Sequence, residues 1–180
     1  MNRTFLLAGI ALTLGILGAV ASQPRRVFVA SGAMKPTLGV ATYINVQRGN
    51  YRQVADVTRS DIIVYERLDS TSQQQRQFVT RVVGLPGDKV QFNGTKVFVN
   101  GRLLPHKKVG QKGKVSIWQE SNGAANYQVQ YGDNTAPSPA FSGIVPQNQL
   151  FCVGDNRDNS YDSRYTSAVP FTSVIGKKAP

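Results

Sequence analysis

The chain contains little of the chemistry that metal and redox sites require, with one cysteine, Cys152, and one histidine, His106, among 180 residues. A single cysteine excludes an intramolecular disulfide, and one cysteine with one histidine cannot assemble a zinc cluster. The sequence FCV places Cys152 between two apolar residues, which indicates a small core side chain. Aspartates near residues 155 to 162 have arginines beside them as neutralising partners, so we predict no metal and no cofactor.

Acidic residues are also scarce: 10 Asp and Glu stand against 21 Lys and Arg, which gives a formal net charge of +11. Such a charge favours nucleic acid, anionic lipid headgroups or acidic polypeptides as partners. The basic residues are scattered, with no Lys/Arg face on a helix and no aromatic stacking platform, so nucleic acid is not expected. A basic polyanion-binding module stays open as an alternative function.

One long apolar run is present, at residues 4 to 21, and its length suits a bilayer. We interpret residues 1 to 26 as a membrane anchor with a single hydrophobic helix, and residues 27 to 180 as a domain on the extracytoplasmic side of the cell membrane. The triplet AVA, which ends at Ala21, also resembles a signal-peptide cleavage site. The alternative is therefore a secreted or periplasmic protein that is cleaved near Ala21.

After residue 26 no long segment keeps a helical period, so we predict a mainly β, antiparallel fold. Residues 61 to 68 form one predicted strand. Hairpin turns are predicted at Asn93-Gly94, at Asn100-Gly101 and over residues 121 to 124, inside an insertion of about residues 90 to 145. Surface loops are predicted over residues 48 to 60, 69 to 77 and 133 to 143.

Three segments are not explained as ordinary strands and turns: SGAMKPTL (31 to 38), TRVVGLPGDKV (80 to 90) and VGDNRDNSYDSR (153 to 164). With SDIIVY (60 to 65), they resemble in order the signatures of type I signal peptidase, the membrane-anchored serine protease that removes signal peptides from exported proteins. The resemblance covers nearly the whole chain. It implies a largely antiparallel β fold with a hydrophobic substrate cleft that faces the membrane.

The resemblance also marks where this chain departs from the family. The family nucleophile is the second serine of the first segment, and its general base is the lysine that opens the second. Here those positions hold Ala33 and Thr80. A methyl group cannot attack a carbonyl, and a threonine hydroxyl cannot accept a proton at neutral pH. The chain therefore lacks both residues of the catalytic pair.

Other site residues match the family pattern. The resemblance implies that Ser31 helps to stabilise an oxyanion, together with the backbone N–H of Ala33, and that Ser160 orients the base. The charged residues expected to pair and to hold the loop against the strand are Arg81 with Asp155 and Asp162 with Arg164. Met34 and Pro36 are expected to shape the binding cleft.

Several functions remain open. The first is an inactive signal peptidase homologue that binds signal peptides or translocated preproteins, or assists an active paralogous peptidase. The second is an active peptidase with an unconventional nucleophile, Ser31, and an unconventional base, Lys35, which would lie on the same side of an extended chain as Ala33. His106 is expected in an exposed loop. A deliberate Ala33 replacement in an active enzyme would leave Thr80 unexplained.

Overall fold

The computed structural model describes residues 24–49, 51–69, 73–132 and 139–180. These residues form fourteen strands, and the only helices among them are two short 3₁₀ turns, Val54–Asp56 and Phe171–Ser173. The predicted mainly antiparallel β fold is confirmed for this part of the chain. The predicted N-terminal helix lies outside it. None of the helices in the four described ranges is long and apolar enough to cross a membrane.

The largest sheet has seven strands in the order β1-β2-β14-β3-β4-β12-β13, and all of its pairs are antiparallel. Its strands are β1 (Arg25–Val29), β2 (Thr42–Arg48), β3 (Ile62–Leu68), β4 (Gln75–Gly84), β12 (Gln149–Val153), β13 (Val169–Pro170) and β14 (Val174–Lys178). The predicted strand at residues 61 to 68 is β3. Because β1 stands at the end of this order, its outer edge has no strand partner among the described residues.

Two smaller sheets come from the middle of the chain. A four-stranded sheet has the order β11-β5-β6-β7, and a three-stranded sheet has the order β10-β9-β8. Their strands are β5 (Lys89–Asn93), β6 (Lys96–Val99), β7 (Arg102–Leu103), β8 (His106–Lys112), β9 (Val115–Asn122), β10 (Ala125–Tyr131) and β11 (Phe141–Ile144). The hydroxyl of Tyr131 donates to the carbonyl of Thr95 at 3.1 Å, which joins β10 to the β5–β6 turn.

The core follows the alternation of the strands. Val90, Phe92, Val97 and Val99 point from the four-stranded sheet against the ends of β4 and β12. Two further clusters fill the two sides of the seven-stranded sheet, one around Val46 and Met34 and the other around Ile63 and Cys152. Cys152 is buried as predicted, and burial raises the pKa of its thiol.

The hairpins form, but two turns differ from the prediction. Asn93 pairs with Lys96, so the turn residues are Gly94 and Thr95, one position later than expected. Asn100-Gly101 is the predicted two-residue turn, with φ of 53° and 77°, the left-handed conformation that Asn and Gly tolerate best. The third turn is shorter than predicted, because Asn122 pairs with Ala125 and leaves two residues between the strands.

Three predicted loops are partly wrong. The segment 69 to 77 ends in strand, because β4 begins at Gln75 and pairs with β3 from that residue. The segment 48 to 60 contains a 3₁₀ turn and buries Val57. The segment 133 to 143 ends in β11, which pairs with β5. Residues 133 to 138 lie outside the described ranges. Pairing with a neighbouring strand, which local composition does not show, decides these boundaries.

Candidate functional site

The segment from residue 31 to 38 is a turn directly after β1. The N–H of Lys35 donates to the carbonyl of Gly32 at 3.1 Å, and that of Leu38 donates to Met34 at 2.8 Å. Met34 and Leu38 are buried and fix the turn to the core. The expectation that Ala33 and Lys35 share one side of an extended chain is therefore wrong, because the chain curls here.

The loop from residue 153 to 164 holds this turn from the opposite side. The backbone N–H of Asn156 donates to the carbonyl of Ala33 at 2.9 Å. The Asn156 side chain donates through Nδ2 to the carbonyl of Gly32, also at 2.9 Å. These two bonds set the position of the Ala33 peptide without any contribution from the Ala33 side chain.

Gly154 brings the Ala33 turn and Ser160 together. A Cβ atom at Gly154 would lie 2.6 Å from the carbonyl oxygen of Ala33 and 2.3 Å from Oγ of Ser160. Real Cβ atoms do not approach other atoms so closely, so a side chain at this position would push the two segments apart. Glycine here permits the close packing of the loop, the turn and the Ser160 hydroxyl.

Ser31 lies at the mouth of the same turn. Its hydroxyl oxygen accepts the N–H of Ala33 over a long distance of 3.5 Å, and the serine is exposed. The hydroxyl and the N–H are thus neighbouring hydrogen-bond donors at the mouth of the turn. The oxyanion role of Ser31 stays a prediction.

Thr80 occupies the middle of β4, opposite Ile63 of β3. Its side chain is buried, and its hydroxyl has no hydrogen-bond partner in the part of the chain that the structure describes. An unpaired buried hydroxyl costs free energy relative to an apolar group of the same shape. The Thr80 hydroxyl therefore makes no stabilising hydrogen bond within the described residues.

The residue after Thr80 is bound in a different way. The guanidinium of Arg81 donates to both carboxylate oxygens of Asp155, at 2.8 and 2.7 Å, and to the carbonyl of Ser60 at 2.8 Å. It also lies over the ring of Tyr127, 3.9 Å from the centroid. The Asp155 carboxylate in turn accepts the hydroxyl of Thr37. The predicted pair of Arg81 and Asp155 is present and buried.

Asp162 and Arg164 form a second predicted pair, with Nε and Nη2 of the arginine at 2.8 Å from the two carboxylate oxygens. Arg164 also donates to the carbonyl of Arg157 at 2.7 Å, and Asp162 accepts the N–H of Gly154 at 3.0 Å. The pair therefore closes the 153–164 loop on itself and fixes Gly154.

A cleft of about 360 Å³ connects these positions. Ala33, Thr80, Ser31 and Ser160 all line it, together with Met34. The remaining lining residues come from the end of β1, from β3 and β4, and from the loop: Phe28, Val29, Ala30, Tyr65, Arg76, Gln77, Phe78, Val79, Tyr161 and Asp162. The fold thus collects six of the expected site positions, which lie as far as 131 residues apart in sequence, around one cavity.

The sequence model of the family described as signal peptidase, peptidase S26, matches residues 1–179. This chain belongs to the signal peptidase family. Signal peptidase I of Pseudomonas aeruginosa is 32% identical over 176 residues, which cover 83% of this chain and 61% of that protein.

Other members show a similar relation. The probable signal peptidase I-2 of Synechocystis is 29% identical over 98% of this chain and 69% of its own length. A crystal structure of a signal peptidase I from Enterococcus faecalis V583 gives a TM-score of 0.42 at 23% identity, over 68% of this chain and 97% of that one, which is too weak a likeness to support a conclusion. The chain spans about 61% of the length of the Pseudomonas peptidases that it matches.

For a signal peptidase homologue, the positions outside the cleft are also informative. Lys35 is exposed and absent from the cleft lining. His106 does not line the cleft either, and it is half-buried at the start of β8 rather than exposed in a loop as predicted. The ring of His106 stacks on that of Trp118, with centroids 5.0 Å apart. Pro36 lies within the turn of residues 31 to 38 and, unlike Met34, is not among the lining residues of the cleft that it was expected to shape. No lysine or histidine side chain therefore lines the described cleft.

Three residues of the site were not anticipated from the sequence. Glu120 and Arg157 form a bidentate ion pair at 2.6 and 3.1 Å, with both side chains buried. The hydroxyl of Tyr127 donates to Glu120 at 2.6 Å, and burial followed by the Glu120 charge raises the pKa of Tyr127 well above its usual value. The available signal was Arg157 in the GDNRDNSYDSR segment, but its partner Glu120 is 37 residues away in sequence.

The side chains could not hold a metal in the described ranges, where no group of three or more His, Cys, Asp or Glu side chains is close enough for one ion. The aspartates of the 153–164 loop are engaged with arginines and backbone N–H groups instead, as with Asp155 and Asp162. What the cleft offers chemically is hydrogen-bond donors, apolar side chains and shape.

Proposed function

We propose that this signal peptidase homologue is catalytically inactive and binds signal peptides or translocated preproteins in its cleft. The observation that supports this most strongly is that Ala33 and Thr80 line one cavity, at the two positions where the family places its nucleophile and base. Loss of the nucleophile alone lowers turnover by on the order of 10⁶ in a well-studied serine protease. Losing both groups removes the chemistry of that mechanism.

The cleft offers no obvious replacement for the base. Its only cationic lining residue is Arg76, which pairs with Asp69 at 3.2 Å and stays protonated at any physiological pH. Its only carboxylate is Asp162, which both Arg164 and a backbone N–H hold as an acceptor. The Ser31 hydroxyl therefore has no proton acceptor within the described cleft that could activate it.

Binding needs neither of the missing groups. The outer edge of β1 is unpaired among the described residues, and β12 pairs with β4 only at Arg81, Val82 and Gly84, which leaves one edge of the Gln75–Thr80 stretch without a strand partner. Both edges border the cleft. An extended peptide could add between them through main-chain hydrogen bonds, with its side chains in the apolar cavity.

The membrane belongs to this proposal. An apolar run of 18 residues precedes the described domain, and we propose that it holds the protein at the cell membrane with the β domain on the extracytoplasmic side. Substrates of an active paralogous peptidase would then reach this cleft as well. A form cleaved near Ala21 and released is the alternative location.

The proposal is tested by one assay on a preprotein in detergent and lipid, with cleavage and binding both measured. The protein as written should bind the preprotein and leave it uncut, whereas the Ala33→Ser, Thr80→Lys double variant should cut it. Ser31→Ala serves as the control, and it should bind more weakly because one donor is lost.

Two results would contradict the proposal in different ways. Cleavage by the protein as written, abolished by Ser31→Ala, would establish an active peptidase that uses Ser31. A folded protein with no measurable affinity for a peptide ending in Ala-x-Ala would show that the cleft has lost its ligand as well as its chemistry. A double variant that binds and does not cut would show that the pocket around residue 80 no longer accommodates a neutral lysine.

A further inference from the structure

Arginine and lysine are used differently in this protein. The buried and half-buried carboxylates are neutralised mainly by arginine, whose planar fork matches a carboxylate with two hydrogen bonds. The ion pairs are Arg59–Asp88, Arg76–Asp69, Arg81–Asp155, Arg157–Glu120, Arg164–Asp162 and Lys177–Asp61. With most carboxylates engaged in this way, the excess positive charge is left at the surface.

That excess is concentrated in one stretch. Residues 89 to 119 contain Arg102 and six lysines and not one aspartate or glutamate. The lysines are Lys89, Lys96, Lys107, Lys108, Lys112 and Lys114, and all seven cationic residues are exposed. Like charges at this density repel one another, so the stretch would be stabilised by an external anion.

The four-stranded sheet arranges part of this charge beside apolar side chains. Val90, Phe92, Val97 and Val99 face the core, so the alternate residues of β5 and β6 face outward. The register places Ile144 opposite Lys89, Phe98 opposite Gln91, Leu103 opposite Phe98, and Lys96 opposite Asn93. We call this outward side of β11, β5, β6 and β7 the basic face.

The apolar residues of the basic face are unusually open. Ile144 is 70% exposed and Leu103 43%. A shallow depression is lined by Gln91 and Phe98 of this face and by Phe92 and Phe141, which point to the core. Nothing in the described ranges covers these side chains, and the lysines at both ends of the row carry the only charges among them. An apolar row flanked by ammonium groups fits a surface that is anionic outside and apolar beneath.

The adjoining three-stranded sheet continues the charge. Only Leu104 and Pro105 separate β7 from β8, and β8 is an edge strand that carries Lys107, Lys108 and Lys112. Val109 stands at a bulge in β8 and is 49% exposed. Lysine at a sheet edge also prevents edge-to-edge pairing, so these lysines alone would not indicate a partner. The basic face is not a sheet edge, so this explanation does not apply to its lysines, and they do indicate a partner.

We propose that the basic face binds the anionic headgroups of a phospholipid surface, with Ile144, Phe98 and Leu103 at the level of the acyl chains. Lysines near an anionic bilayer are attracted by its negative surface potential, and apolar side chains add to the binding by entering the interface. An acidic polypeptide would match the charge but would leave Ile144 and Leu103 without apolar contact. This surface is separate from the cleft and does not depend on what the cleft binds.

The test uses the full chain with a polarity-sensitive fluorophore on Ile144→Cys. The native thiol, Cys152, is buried and its raised pKa keeps it unreactive toward the label. The protein is reconstituted in phosphatidylcholine vesicles with and without phosphatidylglycerol. The N-terminal run is present in both experiments, so the difference between the two lipid compositions reports on the domain. We expect a blue shift only with phosphatidylglycerol, and its loss at high salt.

The charge dependence is measured with two matched double variants. Lys89→Gln, Lys96→Gln removes both lysines of the basic face and should abolish the shift, whereas Arg25→Gln, Arg52→Gln, which changes net charge equally, should retain it. Equal loss in both variants would overturn the proposal in favour of net charge alone. A shift with soluble poly-glutamate and none with phosphatidylglycerol would overturn it in favour of an acidic polypeptide.

Discussion

Two neighbouring residues of β4 show the difference between the floor of the cleft and the polar network behind it. Thr80 lines the cleft, and its buried hydroxyl has no partner among the described residues. Arg81 makes three short hydrogen bonds and stacks on Tyr127. Thr80 makes no side-chain hydrogen bond within the described ranges, whereas Arg81 is fully engaged in contacts that hold the fold together.

The difference teaches that a complete charge network is not evidence of activity. The Arg81, Arg157 and Arg164 pairs are buried, and removal of one partner from such a pair leaves an uncompensated charge in the interior. The fold requires these pairs whether or not a substrate is cut. The fold does not require a serine at position 33 or a lysine at position 80, because Ala33 and Thr80 fill these places without loss of the surrounding contacts.

The largest effect is expected where the network is broken. Glu120→Gln should lower the free energy of unfolding by about 3–5 kcal/mol, because Arg157 would then be buried without a counter-charge and already has one unpaired nitrogen, Nε. Denaturant unfolding measures this. Glu66→Gln, an exposed carboxylate that accepts a hydrogen bond from Gln77, is the control and should change stability little. An equal loss of unfolding free energy in Glu120→Gln and Glu66→Gln would contradict the conclusion that the buried network matters more to stability than an exposed carboxylate.

Smaller changes in stability are expected when Thr80 and Thr37 are each replaced by valine, and the two changes should have opposite signs. Thr80→Val should leave stability unchanged or raise it by about 1 kcal/mol, because an unpaired buried hydroxyl is replaced by a methyl group of the same shape. Thr37→Val should lower it by about 1 kcal/mol, because Asp155 loses a donor. Thermal unfolding of the two variants compares them directly. A loss at Thr80 as large as at Thr37 would mean that its hydroxyl has a partner after all.

The smallest effect is expected from pH. Burial by itself raises the pKa of Asp88, but hydrogen bonds from Arg59, Leu85 and Asn100 outweigh it and hold the pKa below its usual 3.8. A lowered pKa in the folded state stabilises the protein above the unfolded value, and this stabilisation is lost as pH falls through the folded pKa. The free energy of unfolding, measured from neutral pH downward, should therefore decrease below about pH 4.

The control for the pH effect is Asp88→Asn. This variant removes the titrating group, so its stability should start lower and decline less steeply in acid. Asp61, whose pKa is lowered by Lys177, Tyr51 and Thr58 against the opposing effect of burial, retains part of the slope. An unchanged slope in Asp88→Asn would show that Asp88 does not contribute.

The fold class could be predicted because alternation and turn residues are local signals. Asn100-Gly101 formed the expected turn, and Asp155 and Asp162 found the expected arginines. Strand ends were less accurate: the composition of residues 69 to 77 indicated a loop, yet Gln75 pairs with Leu68. Such boundaries depend on which strand lies alongside.

The sequence by itself determined the family, the antiparallel β fold and the absence of a serine and a lysine at positions 33 and 80, because each follows from residue identity and local order. Only the tertiary structure decided that Asn156 holds the Ala33 turn, that Glu120 neutralises Arg157, and that Lys89 and Ile144 stand side by side on one face. These contacts join residues far apart in the chain, and their pairing is set by strand register and burial, which residue identity does not encode locally.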